Sequence, residues 1–151
     1  TVLPDGSRSV TTFYVAEDGR ICWAAAALGG SRTGGLGCGP PEAFVKALKA
    51  GGYVPGMEVL RTGDVIFRGY VPDDVVSLSG RGPSRPLGVQ LGKPWTPSST
   101  PAVGSLRPFV AVVSPDSPLD LGGGEPPFEL EQRSYSFDAL TDDGRRLRIG
   151  P

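Results

Sequence analysis

A mainly β fold of antiparallel strands is what this sequence predicts, and three observations carry the expectation. The apolar residues come in strand-sized blocks rich in β-branched and aromatic side chains, such as Val10-Thr11-Thr12-Phe13-Tyr14-Val15 and Val65-Ile66-Phe67-Arg68-Gly69-Tyr70-Val71. Turn signals separate them, among them Asp18-Gly19 and Asp143-Gly144. Glycine and proline, 23 and 16 residues, make up about a quarter of the chain, as many turns between short strands require. The implied architecture is an antiparallel β-sandwich, immunoglobulin-like or similar, with one short α-helix near residues 41–50 and long Gly/Pro-rich loops. At 151 residues the chain reads as a single domain, 1–151, long enough for a proper core.

Thr1–Pro4 opens as a short strand that Asp5-Gly6 turns into a second, Ser7–Ala16. Glu17-Asp18-Gly19 makes a tight hairpin turn, because Asp-Gly tolerates the positive φ such turns demand. The partner strand is Arg20–Leu28. Its four alanines, Ala24 to Ala27, pack thin, so something bulky is expected across them, and the helix is the candidate. Pro40-Pro41 opens that helix, Glu42 sits in its first turn and Gly51-Gly52 stop it. Phe44, Val45, Ala47 and Leu48 form its apolar face, while Lys46 and Lys49 stay wet.

Tyr53–Met57 reads as a Gly/Pro connector. Glu58-Val59-Leu60 and Val65–Val71 then pair as a hairpin around Arg61-Thr62-Gly63-Asp64. Pro72-Asp73-Asp74 breaks the strand and Val75–Ser79 starts another. Leu87–Leu91 alternates like a half-buried strand. Lys93–Gly104 holds three prolines and predicts an extended path, with Trp95 folded back or displayed. Phe109–Val113 is a buried strand by its continuous apolarity. After a long loop, Ser114–Pro127, the segments Phe128–Leu140 and Arg145–Ile149 close a hairpin around Thr141-Asp142-Asp143-Gly144. In it Tyr135, Phe137 and Ala139 face one way and Ser134, Ser136 and Asp138 the other. Glu17-Asp18-Gly19-Arg20 and Asp142-Asp143-Gly144-Arg145 share turn chemistry without forming an internal repeat.

The two cysteines, Cys22 and Cys38, flank Gly29, Gly30, Gly34, Gly35 and Gly37, which let the backbone fold back on itself. A disulfide between them would stabilise the fold by roughly 3 kcal/mol and place the chain in an oxidising compartment. Two buried thiols are the alternative. Cys22-Trp23-Ala24 resembles the nucleophile region of papain-like cysteine peptidases, but the chain holds no histidine to take the thiol proton. Two cysteines without histidine also fall short of the four ligands of a structural zinc.

With 15 basic and 16 acidic residues the formal charge is −1, so no basic face for nucleic acid is implied. No apolar run approaches the roughly 18 residues of a membrane span. The chain opens at Thr1 rather than at a methionine, as a processed or trimmed ectodomain would. Candidate ligand contacts are the aromatic rings of Trp95, Tyr53 and Tyr70, which suit a glycan. Asp116, Asp120 and Glu125 are candidate oxygen ligands for calcium; no other cofactor is expected. Asp73-Asp74 and Asp142-Asp143 make poor acid/base couples, because neighbouring side chains on a strand point to opposite faces.

Gly69-Tyr70-Val71-Pro72-Asp73-Asp74-Val75, Arg107-Pro108-Phe109-Val110-Ala111-Val112-Val113 and Phe137-Asp138-Ala139-Leu140-Thr141-Asp142-Asp143-Gly144-Arg145 form a pattern. With Cys22 and the glycines before Cys38, it resembles that of extracytoplasmic β-sandwich domains of high-GC Gram-positive bacteria. The resemblance covers about half the chain. It implies a secreted or membrane-tethered β-sandwich and brings no activity with it. The expected function is therefore non-catalytic: a secreted or cell-surface domain acting in protein interaction or as a structural, self-assembling subunit. A carbohydrate- or cell-wall-binding module using exposed aromatics is the alternative.

Overall fold

The computed structural model describes residues 8–28, 34–59, 65–81, 86–98, 103–113 and 135–149, with the backbone alone at 27, 28, 34, 53–59, 81, 86, 87 and 113. The expected Thr1–Pro4 strand, the Arg61–Asp64 turn and the Ser114–Pro127 loop lie outside the described residues. The described residues are mainly β and antiparallel, with one helix among them. The elements are β1 (Arg8–Val15), β2 (Ile21–Leu28), β3 (Gly34–Gly39), α1 (Pro41–Lys49), β4 (Tyr53–Val59), β5 (Val65–Pro72), β6 (Val75–Arg81), β7 (Pro86–Leu91), β8 (Leu106–Val113), β9 (Ser136–Thr141) and β10 (Arg146–Ile149). They form a three-stranded sheet, β1-β2-β3, and a seven-stranded one, β10-β9-β6-β7-β8-β5-β4. An immunoglobulin-type domain divides its strands differently, with three to five in each sheet.

Two hairpin turns follow one design. In the first, Gly19 N–H donates to Ala16 O and Ala16 N–H to Arg20 O; in the second, Gly144 N–H donates to Thr141 O and Thr141 N–H to Arg145 O. Gly19 and Gly144 take φ of 80° and 84°, the left-handed region that completes a three-residue hairpin loop. The aspartate before each glycine accepts from the following arginine at both its backbone N–H and its Nε. The shared turn chemistry read from the sequence is therefore shared geometry.

Two elements differ from expectation. The glycine-rich approach to Cys38 is a strand, β3, because antiparallel pairing with β2 satisfies its backbone where its side chains offer little to pack. Tyr53–Met57 is likewise strand. β4 is the edge of its sheet, and a register shift between Tyr53 and Gly56 accommodates Pro55, which cannot donate to a ladder. The helix, too, sits elsewhere than expected. It packs Phe44 against Tyr70, ring centroids 5.1 Å apart, at the Ile21 end of β2 rather than over the alanines. Ala24 and Ala25 are half-buried and Ala26 is exposed.

The seven-stranded sheet curls about one core. β7 is the corner: Pro86 and Leu87 pair with β6, whereas Gly88–Leu91 pair with β8. Phe67, Phe109, Phe137 and Tyr135 meet inside, with neighbouring centroids 4.9–5.7 Å apart. Tyr135, Phe137 and Ala139, expected to face one way, are all buried, Tyr135 immediately before β9 and the other two on it. The β10 edge comes up against the start of β4 at Gly52, where a Cβ would stand 2.8 Å from Ile149 Cδ1 and 3.0 Å from Tyr70 O. At the opposite corner Arg107 donates from Nε to Gly92 O (2.9 Å) and from Nη1 to Val75 O (2.7 Å).

β5 is buried on both sides, which explains its nearly unbroken apolar sequence. Val65, Phe67 and Val71 enter the large core; Ile66, Arg68 and Tyr70 face the three-stranded sheet. Phe13 meets Tyr70 edge-on at 5.0 Å, and the Tyr70 hydroxyl donates to Cys22 O at 3.2 Å. Arg68, fully buried, donates from Nε to Thr11 Oγ1 (3.3 Å) and lays its guanidinium 4.6 Å from the Trp23 ring centre. Burying a charge is costly unless hydrogen bonds and an aromatic face replace its water, and these contacts supply both.

Candidate interaction surface

Strand alternation sorts β1 into two faces. Ser9, Thr11 and Phe13 point toward β5, while Arg8, Val10, Thr12 and Tyr14 point away from it. Register carries the outer face across the sheet: Val10 lies opposite Ala26, Thr12 opposite Ala24, and Ala24 opposite Leu36. Val10, Tyr14 and Leu36 are 48, 36 and 67 % exposed. Three of the five exposed large hydrophobic side chains among the described residues thus share one face of a small sheet. Val76 and Leu140, on β6 and β9, are the other two.

The disulfide holds this face together. Cys22 and Cys38 are bonded and stand directly opposite one another on β2 and β3, Cα to Cα 4.1 Å. Beneath them Trp23 lies over Gly37, where an added Cβ would come within 2.5 Å of the indole Nε1. Glycine at this position is a packing requirement: the bare backbone of β3 is what lets the indole lie flat and reach Arg68.

A second cluster joins the two aspartate pairs. Asp142 N–H donates to Asp74 O at 2.9 Å, and Arg145 spans from Asp143 (2.7 Å) to Asp74 (2.9 Å). The Thr141 hydroxyl also donates to Asp143. That hydrogen bond, then those from the Arg145 side chain and backbone, hold the Asp143 carboxyl down at about 2. A carboxyl so acidic is ionised at neutral pH and too weak a base for general catalysis. Chemically the cluster is an ion-paired clasp between the β5–β6 corner and the last hairpin. Among the described residues, no group of three or more His, Cys, Asp or Glu is placed to hold a metal ion.

The expected ligand contacts are not brought together. Tyr70 is fully buried and hydrogen-bonded, and burial pushes its phenol well above the usual range, so its ring offers no face to a glycan. Trp95 is folded back and half-buried: its backbone exchanges two hydrogen bonds with Leu106, 2.7 and 2.9 Å, and its side chain packs against the cluster of Ile21, Phe44, Tyr70, Val103 and Leu106. The Tyr53 side chain, and Asp116, Asp120 and Glu125, lie outside what is described. Sequence reading singled out neither Leu36 nor Val10 as surface residues. The signal was present: in a strand of alternating glycines, Leu36 is the lone bulky side chain, and it falls in phase with Cys38. Comparison of the chain with protein-family models, curated proteins and solved structures finds no match.

Proposed function

We propose that this chain is a non-catalytic, extracytoplasmic domain that binds protein surfaces, those of its own copies included, through the outer face of the three-stranded sheet. The observation that carries the reading is the gathering of Val10, Tyr14 and Leu36 on that face, beside Ala24, Ala26 and the Cys22–Cys38 bridge. Apolar side chains scattered singly need no explanation, but three on one face of a small crosslinked sheet do. The disulfide supports an oxidising compartment. The packing of Phe13, Trp23 and Cys22 on Arg68 and Tyr70 supports a sandwich-type arrangement of the two sheets.

Size decides what kind of contact this is. Three strands by seven residues covers on the order of 300 Å², well short of the ~800 Å² per partner in a standard stable interface. The face alone therefore makes a weak contact, suited to reversible or multivalent association. The test is amide NMR of the protein over a concentration series. Shifts should gather on β1–β3 and vanish in Leu36→Asp. Shifts that gather elsewhere, or persist in that variant, would remove this face as the binding surface.

A further inference from the structure

β3 is an open edge of the three-stranded sheet: among the described strands it pairs only with β2. The first hairpin turn sets which of its backbone groups are left over. Ala16 N–H donates to Arg20 O, so the even-numbered residues of β2 direct their N–H and C=O at β1. Ile21, Trp23 and Ala25 therefore bond Gly39, Gly37 and Gly35. The 4.1 Å between the Cα atoms of Cys22 and Cys38 agrees, marking the narrow pairs that lie between the bonded ones. Gly34, Leu36 and Cys38 thus turn their N–H and C=O outward, with no partner among the described residues.

Nothing in the sequence of β3 guards that edge. β4 carries Pro55 and an irregular register, and β10 carries exposed Arg146 and Arg148, both common protections against added strands. β3 has no proline, no charge and no register shift. Leu36 is 67 % exposed, the most of any large hydrophobic side chain among the described residues, whereas Cys38 is buried, so the accessible stretch is Gly34–Leu36. The strand is held in place by its ladder, the disulfide and the indole over Gly37, so an incoming strand meets a template already formed. Both sheets also end on this side. Thr11 of β1 and Trp23 of β2 meet Arg68 of β5, and β3 neighbours β4, the last strand of the sheet beneath. Among the described strands none lies beyond these two, which lets a second copy come edge-on with its own lower sheet beside this one.

We infer that β3 pairs antiparallel with β3 of a second copy about a twofold axis at Gly35, joining the two small sheets into one. Gly34 N–H and C=O then bond Leu36 of the other copy, and the reverse, each Leu36 lying opposite a residue with no side chain to obstruct it. Gly35 meets Gly35 at the narrow spacing of about 4.5 Å, which bare backbone tolerates. The axis stands normal to the sheet, so both outer faces lie on one side, with the two Leu36 side chains diagonally across its centre and within reach of one another. The apolar face doubles from about 300 to about 600 Å², approaching the ~800 Å² of a standard partner surface. The occupant is a second copy because β3 offers a foreign strand only Leu36 to recognise, while its own sequence satisfies the outward groups of Gly34 and Leu36 in kind. The inference deepens the protein-binding reading above and rests on it for the use of the doubled face; the pairing itself uses backbone groups that the face does not.

The test is residue-resolved amide hydrogen exchange of the whole chain in dilute and in concentrated solution. Leu36 N–H, and Gly34 N–H with it, should exchange about tenfold or more slowly when concentrated, whereas Gly37 N–H, already bonded to Trp23 of β2, should not change. Leu36→Pro removes an outward N–H without touching the β2 ladder and should abolish the protection of Gly34. Val10→Asp disrupts the outer face and should leave the protection of Leu36 and Gly34 as it is. A Leu36 exchange rate independent of concentration, a rise in protection as large at Gly37, or protection of Gly34 that survives Leu36→Pro would each overturn the inference. Should Leu36→Pro not fold, the wild-type rates at Leu36 and Gly37 decide it alone. Concentration-dependent shifts at Val10 and Tyr14 beside a fast-exchanging Leu36 would leave the outer face standing and remove the edge. A protected Leu36 with shifts confined to β3 would keep the edge and remove the face.

Discussion

Asp143 and Asp18 occupy equivalent places in equivalent turns, and one side chain separates them: Thr141 stands where the first turn has Ala16. Both carboxyls are lowered, Asp18 chiefly by the Arg20 backbone N–H, Asp143 chiefly by the Thr141 hydroxyl. The folded value of Asp143 lies below its ordinary value of 3.8, so what it contributes to the hairpin is complete above about pH 4 and is lost as pH falls toward 2. Carboxyl NMR titration should place the Asp143 midpoint near 2. Thr141→Val should raise it toward the Asp18 value while leaving Asp18 where it is. An unmoved midpoint would mean that Arg145 alone sets it. This detail was half legible: the recurrence of Asp-Gly-Arg gave both turns, but the threonine that distinguishes them speaks only once the hydroxyl's direction is known.

At the scale of elements, what the sequence disclosed and what it hid divide by how local the cause is. The first and last hairpins, the helix with its proline start and glycine stop, and the inner face of β9 all follow from neighbours in the chain. β3 and β4 do not. Glycine and proline read as loop in isolation, and it takes the partner strands, with Trp23 over Gly37 and Pro55 at an open edge, to make them strands. The same contrast gives a test on paired glycines. Gly37→Ala would drive a methyl into the Trp23 indole and should cost about 1–3 kcal/mol, as overpacking does. Gly88→Ala meets open space at an ordinary φ and should be neutral or stabilise by up to about 1 kcal/mol. Denaturant midpoints of the two variants check this; equal effects would show that strand glycine, not the indole, sets the cost.

Across the whole molecule the two sheets are held by different means. The seven-stranded sheet gathers four aromatic rings and brings Ile149 up to Gly52, an arrangement that depends on β5 and β6 being adjacent in sequence yet apart in the sheet, which no local pattern announces. The three-stranded sheet has only its inner face to bury, and β3 brings glycines to it. What keeps β3 in place is its ladder, the indole over Gly37 and the covalent bond to β2. Removing that bond with Cys22→Ser and Cys38→Ser should cost about 3 kcal/mol for a crosslink spanning 16 residues, or roughly 6–12 °C in Tm at this chain length. The loss should not be uniform, because regions open with free energies set by their own contacts. Hydrogen exchange in the double variant should show β3 amides losing protection first and β2 next to it, while β5 and β8 stay protected. If all four lose protection together, the sheets form one cooperative unit, and the interaction face is as stable as the core beneath it.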